Sequence, residues 1–366
     1  MYMNLVKTSY RSDDVTILLK DISGIITPLS TEEREKLNQT GVHYSEMLPL
    51  EYKPTEKYME IYNEALQTLS YKTANATAIL AKKLYEKYGN KLVLVSLARA
   101  GTPIGILLKR FIRFKYNIVV PHYSISIIRG KGIDVNAINY IVDRHGSYGL
   151  QFVDGWIGKG AINGVLVEAC ELLKTESFKF SSLDSTLAVL SDPAFITDLC
   201  GTHEDFLIPS ACLNSTVSGL ISRTFLRNDI IGPNDFHGAV YYGELELEDK
   251  SNEFIDTVSN YFEKINYDYF QDNSSIMQDS KTGIDEVRNI ARDFGILDIS
   301  KIKPGVGETT RVLLRRVPYC VLLRNLADMQ KFPHIKRLCE EKNIPIKEYP
   351  LQMYNVCGII KTLSDI

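Results

Sequence analysis

The stretch Leu150-Gln-Phe-Val-Asp-Gly-Trp-Ile-Gly-Lys-Gly-Ala-Ile162 leaves a chain few ways to fold. Leu150, Phe152 and Val153 read as a buried strand, and Asp154 stands where that strand ends. Gly155, Gly158 and Gly160 then let the backbone turn into an apolar helix over 161–173. A glycine-rich turn into a helix start gathers unpaired backbone N–H groups and the positive end of the helix dipole, so it suits an anion. Asp154 is placed to face a sugar or a metal beside that anion. A Walker A loop is excluded, because Val153 stands where its first glycine belongs and Gly160 replaces its Ser or Thr. A tight turn without a ligand is the plain alternative.

Around this stretch, strand and helix alternate. Helices are expected over 55–69, with Thr55 as cap, and over 73–88, followed by strand 91–97 and a helix from Pro103 to Lys115. Extended segments follow at 117–121 and 123–128, then a helix capped by Asp134 that ends near Gly146, and a strand at 186–190. The expectation is a doubly wound, mostly parallel α/β sheet, with ligands bound beyond the carboxyl ends of the strands. Two more loops at those ends carry cations: Arg99-Ala-Gly-Thr-Pro103 and Arg129-Gly-Lys-Gly132. Three such turns on one sheet fit a ligand with phosphates at both ends, although each alone is an ordinary turn with a solvated charge.

With 366 residues, 45% hydrophobic content and a net charge of −3, the chain is a globular protein of two or three domains. The six cysteines, Cys170, Cys200, Cys212, Cys320, Cys339 and Cys357, form no C-x-x-C pair, which argues for a reducing compartment and against structural zinc. No apolar run is long enough for a bilayer and the N-terminus lacks a leader pattern, so a cytoplasmic protein without membrane contact is expected. Residues 286–366 hold 14 Lys/Arg against 9 Asp/Glu, a surplus of +5 that leaves −8 for the rest. A basic module on an acidic body hints at nucleic acid.

The three loops resemble those of the type I phosphoribosyltransferases: Asp154 to Gly160 the ribose-phosphate loop, Arg99-Ala-Gly-Thr the pyrophosphate loop, and Arg129-Gly-Lys-Gly the mobile basic loop. More closely, residues from about 10 to 260 resemble the phosphoribosyltransferase-like proteins of tellurium-resistance and stress gene clusters, a group also labelled the cysteine protease StiP family. The stretches that carry this are 43–49, 95–105, 122–134, 151–162 and 205–224. The resemblance implies a transferase of phosphoribosyl pyrophosphate with Mg²⁺ and an unknown acceptor. In it Arg99, Arg129, Lys131 and Asp154 are catalytic, and Ala100, Gly101, Thr102, Gly155, Trp156, Ile157, Gly158, Lys159 and Gly160 bind substrate. One departure is that Asp154 is followed by glycine where that family carries a second acid.

The protease label requires an activated thiol near a histidine. Cys212 in the 205–224 stretch is the candidate, with His203 or His237 as base, because Pro209 or Ser210 would open a helix there. The apolar neighbours of Cys212 favour a core thiol instead. On a helix, Ser215, Ser218 and Ser222 share one face, either lining a pocket or easing helix packing.

The last module resembles the Pelota and L7Ae type of RNA-binding domain. Its helix-start motif appears as Gly307-Glu308-Thr309-Thr310-Arg311, which implies contact with structured RNA. A strand over 319–323, a helix over 333–342 and a strand at Ile346 complete a small α/β/α unit. The expected organisation is an N-terminal extension at 1–54, the α/β domain at 55–270, a polar linker at 271–285 and the RNA-binding unit at 286–366, and an oligomer is compatible with it. A non-catalytic nucleotide- or RNA-binding module is the remaining alternative.

Overall fold

The computed structural model describes residues 4–266 and 282–360, so most of the expected linker at 271–285 lies outside the described residues. The strands are β1 Thr16–Ile17, β2 Lys20–Asp21, β3 Val93–Ala98, β4 His122–Ile128, β5 Gly132–Ile133, β6 Leu150–Trp156, β7 Ala188–Ser191, β8 Cys200–Thr202 and β9 Gly238–Ala239. In the second module they are β10 Ile302–Pro304, β11 Pro318–Leu323, β12 Ile346–Glu348 and β13 Val356–Ile360. The helices are α1 Thr31–Gln39, α2 Glu56–Tyr88, α3 Gly101–Tyr116, α4 Val135–His145, α5 Ala161–Glu176, α6 Ser251–Ser259, α7 Gly283–Asp293, α8 Val306–Arg315 and α9 Pro333–Glu341.

The main sheet runs β1-β4-β3-β6-β7-β8, parallel throughout, with β5 antiparallel on β4. Successive residues of its strands face opposite layers. Leu94, Val153 and Leu190 join the core under α2 and α3, while Val95, Phe152 and Val189 join the core under α4 and α5. That two-sided burial explains the unbroken apolar runs. The connections go outward in both directions from β3 and β6, so a crevice opens at their carboxyl ends, where an open α/β sheet takes its ligands. Gly101 makes this close: a Cβ there would collide with the Val153 carbonyl.

Three expectations need correction. The helices predicted at 55–69 and 73–88 are one 33-residue helix, α2. The polar gap between them does not break it, because Ser70, Thr73 and Thr77 turn their hydroxyls back to the carbonyls of Leu66, Leu69 and Thr73. Residues 117–121 form no strand; β4 starts at His122. The 205–224 stretch is not a helix but two short 3₁₀ turns, Pro209–Cys212 and Ser215–Val217, so Ser215, Ser218 and Ser222 make no helical stripe.

The second module is a four-stranded sheet ordered β10-β13-β11-β12, packed with α7, α8 and α9. It is bolted to the main body at several points. Tyr354 Oη donates to the Gly158 carbonyl at 2.6 Å, Tyr58 Oη donates to that of Leu314 at 2.5 Å, and Arg337 pairs with Glu64 at 3.1 Å. No helix among the described residues is long and apolar enough to cross a membrane.

Candidate functional site

Two places in this fold gather chemistry. The first is the crevice beyond β3 and β6, which the second module roofs with α8. It contains a cavity of about 240 Å³ lined by Tyr44, Arg99, Trp156, Asn214, Arg223 and Arg311, among others. Beside it lies one of about 290 Å³ whose lining includes Arg129, Asp154, Trp156, Lys159, Lys303 and Arg311. Ala100, Trp156 and Arg311 border both, and the Arg311 guanidinium sits 5.5 Å from the centre of the Trp156 ring system.

The loop residues singled out in the sequence divide between this crevice and the packing around it. Arg99 Nη1 donates to Glu51 Oε1 and to the Ile221 carbonyl, each at 3.1 Å, so its charge is already matched. The Arg129 backbone N–H donates to Tyr44 Oη at 2.8 Å, and its guanidinium lies 6.0 Å from the Tyr44 ring centre. Lys131 faces away, 3.6 Å from Glu46. Gly158 and Gly160 line the second cavity with Ile157, whereas Gly101, Thr102 and Gly155 line neither. Thr102 is instead buried, its hydroxyl 2.7 Å from that of Ser124.

Asp154 Oδ1 accepts from the Gly155 N–H at 2.8 Å, yet desolvation pushes its carboxyl up to about 7. Lys159 Nζ donates to the carbonyls of Ile299 and Ile302 at 2.6 and 2.8 Å, and its ammonium is pushed down to about 8, mainly by desolvation and then by Lys303. This setting fits Mg²⁺ poorly. A hard cation needs several oxygen ligands, and the carboxylates lining this cavity are Asp154 and Glu308 alone. Among the described residues no three His, Cys, Asp or Glu side chains converge on a metal position.

Of the RNA motif, Thr309 and Thr310 are fully buried. Thr309 Oγ1 donates to the Lys303 carbonyl at 3.0 Å, and Thr310 Oγ1 donates to that of Val306 at 2.7 Å. Gly307 is buried near Trp156. Only Glu308 and Arg311, 3.9 Å apart, reach the crevice.

The second place is the edge of the main sheet. All six cysteines are buried and unbridged. Cys212 lies in the core with no exposure, and burial pushes its thiol up to about 12. Neither proposed base reaches it. His237 Nδ1 lies 2.8 Å from Ser126 Oγ, while the His203 ring lies beside Cys200, with Nε2 at 3.4 Å and Nδ1 at 3.8 Å from Sγ. His203 Nδ1 is 2.7 Å from the Asp192 carbonyl. A carbonyl only accepts, so Nδ1 carries the proton and Nε2 is the unprotonated nitrogen of the neutral ring, while the near-equal distances put the sulfur over the ring face rather than on the Nε2 lone pair.

Local structure explains the pairing. Cys200 opens β8 with its side chain in the layer under α4 and α5, and the chain leaves the strand after Thr202. His203 there stacks on Phe195, ring centres 4.1 Å apart and planes 7° from parallel. Phe195 belongs to a turn held by Asp192, whose carboxylate accepts from the N–H groups of Ala194, Ile196 and Thr197. Sequence reasoning named His203 but not Cys200. The signal was the Cys-Gly-Thr-His spacing at a strand end.

Residues 8–259 match the family described as tellurite-like stress resistance cysteine protease StiP, and residues 281–362 match the PELOTA RNA binding domain. The chain is 36% identical over 352 residues to a protein named "Cysteine protease StiP" from Acinetobacter baylyi (strain ATCC 33305 / BD413 / ADP1), an alignment that spans 93% of this chain and 89% of the relative. Both findings name a protease, which overturns the expected transfer of phosphoribose from phosphoribosyl pyrophosphate and the glycosyltransferase class with it. Within the crevice, Arg99 is paired with Glu51. By its match over two-thirds of its length and by this relative, the chain belongs to the StiP family and carries a PELOTA RNA binding domain at its C-terminal end.

Proposed function

We propose that this protein is a thiol protease whose nucleophile is Cys200 and whose base is His203. The observation that carries the reading is the placing of Cys200 Sγ against the His203 ring, 3.4 Å from Nε2 and 3.8 Å from Nδ1, with Nδ1 committed to the Asp192 carbonyl; the ring has to turn its Nε2 edge onto the sulfur for proton transfer. A nucleophilic thiol needs an adjacent base, and that base needs a third group to fix its tautomer. In the reaction, Nε2 takes the thiol proton as sulfur attacks the peptide carbonyl, then gives it to the departing amine. Water releases the acyl group from sulfur. Cys200 is only 1% exposed, so a peptide reaches it only when the chain around it opens.

The test is hydrolysis of an unfolded polypeptide by the full chain. Cys200→Ala and His203→Ala abolish it while Cys212→Ala leaves it intact. Loss on Cys212→Ala with Cys200→Ala active would reject the assignment.

A second activity, RNA binding by the C-terminal module, is favoured by one further observation: α8 turns Glu308 and Arg311 toward an open, cation-lined crevice. Binding of RNA by the full chain that weakens with added salt is the expected result.

A further inference from the structure

Building on the RNA-binding reading, we propose that the crevice between the two modules holds single-stranded RNA, gripped by the loops of the main sheet as well as by α8. The two cavities are neighbours that share Ala100, Trp156 and Arg311 in their walls, the Arg311 guanidinium lying 5.5 Å from the centre of the Trp156 ring system, and we treat them as one groove. Along it run Arg99 and Arg223 on one side and Arg129, Lys159 and Lys303 on the other. The acids lining it are Asp154 and Glu308. No carboxylate lines the first cavity; Glu51 pairs with Arg99 behind it and its charge also acts on Arg223.

Two of these cations make no direct ion pair, although Glu308 acts on Lys303 and Glu51 on Arg223 from farther off. Among the described residues the Arg223 and Lys303 side chains have no hydrogen bond or salt bridge. Burial, followed by the nearby Arg99, pushes Arg223 down to about 10. Cations held under-paired at such a cost mark a place where an anion supplies the missing charge. The aromatic groups are set between them. The Tyr44 ring centre lies 5.9 Å from the Arg223 guanidinium and 6.0 Å from that of Arg129.

Alternating rings and guanidinium groups along a positive groove are what splayed bases and their phosphates require. A duplex has no bases free to enter between Trp156 and Tyr44. A peptide lacks the repeated negative charge, and one bound here would lie off the thiol, because neither Cys200 nor His203 lines either cavity.

Trp156 is the sole tryptophan of the chain, so the groove carries its own reporter. The full-length protein is titrated with a fluorescein-labelled, mixed-sequence single-stranded RNA of about ten nucleotides, within the usual site size. Anisotropy and Trp156 emission are followed on unlabelled and labelled strands in parallel. The expected result is quenching of Trp156 that saturates together with anisotropy, and affinity about tenfold weaker in Trp156→Ala and in Arg223→Ala, the scale of one lost stacking or phosphate contact. Melting temperatures of both variants show whether they fold, and the wild-type quenching stands even if they do not.

Binding by anisotropy with unchanged Trp156 emission would overturn the inference and leave RNA on the outer face of the C-terminal module. Absence of RNA binding would overturn the RNA-binding reading itself. Competition by adenosine monophosphate or inorganic phosphate at concentrations close to those of the strand would make this a small-phosphate site, and quenching by unfolded casein but not by RNA would make it a peptide groove. Either would reject the proposal.

Discussion

Asp205 Oδ1 accepts a hydrogen bond at 2.7 Å from the backbone N–H of Val306, the first residue of α8 in the other module. Its second oxygen accepts from the Asn355 N–H at 2.8 Å, and Asn355 Nδ2 donates to the Asp205 carbonyl at 3.1 Å. Helix α8 starts after Gly305, which has no side chain to cap it, so the main body supplies the cap from a residue a hundred positions earlier. The bond therefore fixes how α8, with Glu308 and Arg311, sits over the crevice.

Asp205→Ala leaves one buried and one partly buried N–H donor without a partner. Each such donor costs about 1–3 kcal/mol, so urea unfolding of the variant is expected to show a loss on the order of 2–4 kcal/mol. It is also expected to expose the module boundary to limited proteolysis. A loss within the error of the measurement would mean that water or another side chain takes over the cap.

Asp205 and Asp154 contribute a stability that falls as pH rises across the acid-to-neutral range, against the buried histidines His122, His237 and His334, whose lowered values act the other way. Burial raises the carboxyls of Asp205 and Asp154 from an ordinary 3.8 to about 6 and about 7, so between about pH 4 and pH 7 these two groups bind more protons in the folded chain than in the unfolded one. The contribution of both groups is thus fully present below about pH 4 and is lost as pH passes their folded values. Asp154→Asn, which keeps an oxygen for the Gly155 N–H, is expected to flatten the upper part of this decline. Urea midpoints at about pH 5 and about pH 8 measure it, and an unchanged difference between wild type and variant would contradict the assignment.

Cys212 is a packing residue. Cys212→Ser puts a hydroxyl into a fully buried apolar position, at a cost of about 1–3 kcal/mol, while hydrolysis at Cys200 persists in the folded fraction. In the native protein, Cys212 should resist iodoacetamide near neutral pH and react only after denaturation. Fast native alkylation of Cys212 would show that its burial is breached.

Much of this architecture is legible in the residues. Asp134 reads as a cap, and its Oδ1 does accept from the Ala137 N–H at 3.0 Å. The apolar runs at β3 and β6 and the glycines after Asp154 imply a parallel sheet with loaded loops, and Arg99 and Asp154 do flank the crevice. What resists reading is non-local. The gap at Ser70 looks like a break until its hydroxyl is seen bonded to Leu66. The serines after Cys212 suit a helix face in spacing, but the chain turns away in 3₁₀ geometry between Pro209 and Gly219. Cys200 and His203 meet only because Asp192 folds its turn back to hold the imidazole, and Trp156 meets Arg311 across the module boundary. The Cys-Gly-Thr-His spacing hints at the first contact, and no local pattern announces the second.

The most direct test of the protease account is to follow alkylation and activity in the same sample. The native protein is treated with limiting iodoacetamide, each cysteine is quantified by peptide mass spectrometry, and residual hydrolysis is measured at each time point. The account predicts that activity falls in step with modification of Cys200, and that His203→Ala slows that modification while leaving the other five thiols as they were. Hydrolysis that survives complete modification of Cys200, or that disappears in step with another cysteine, would contradict it.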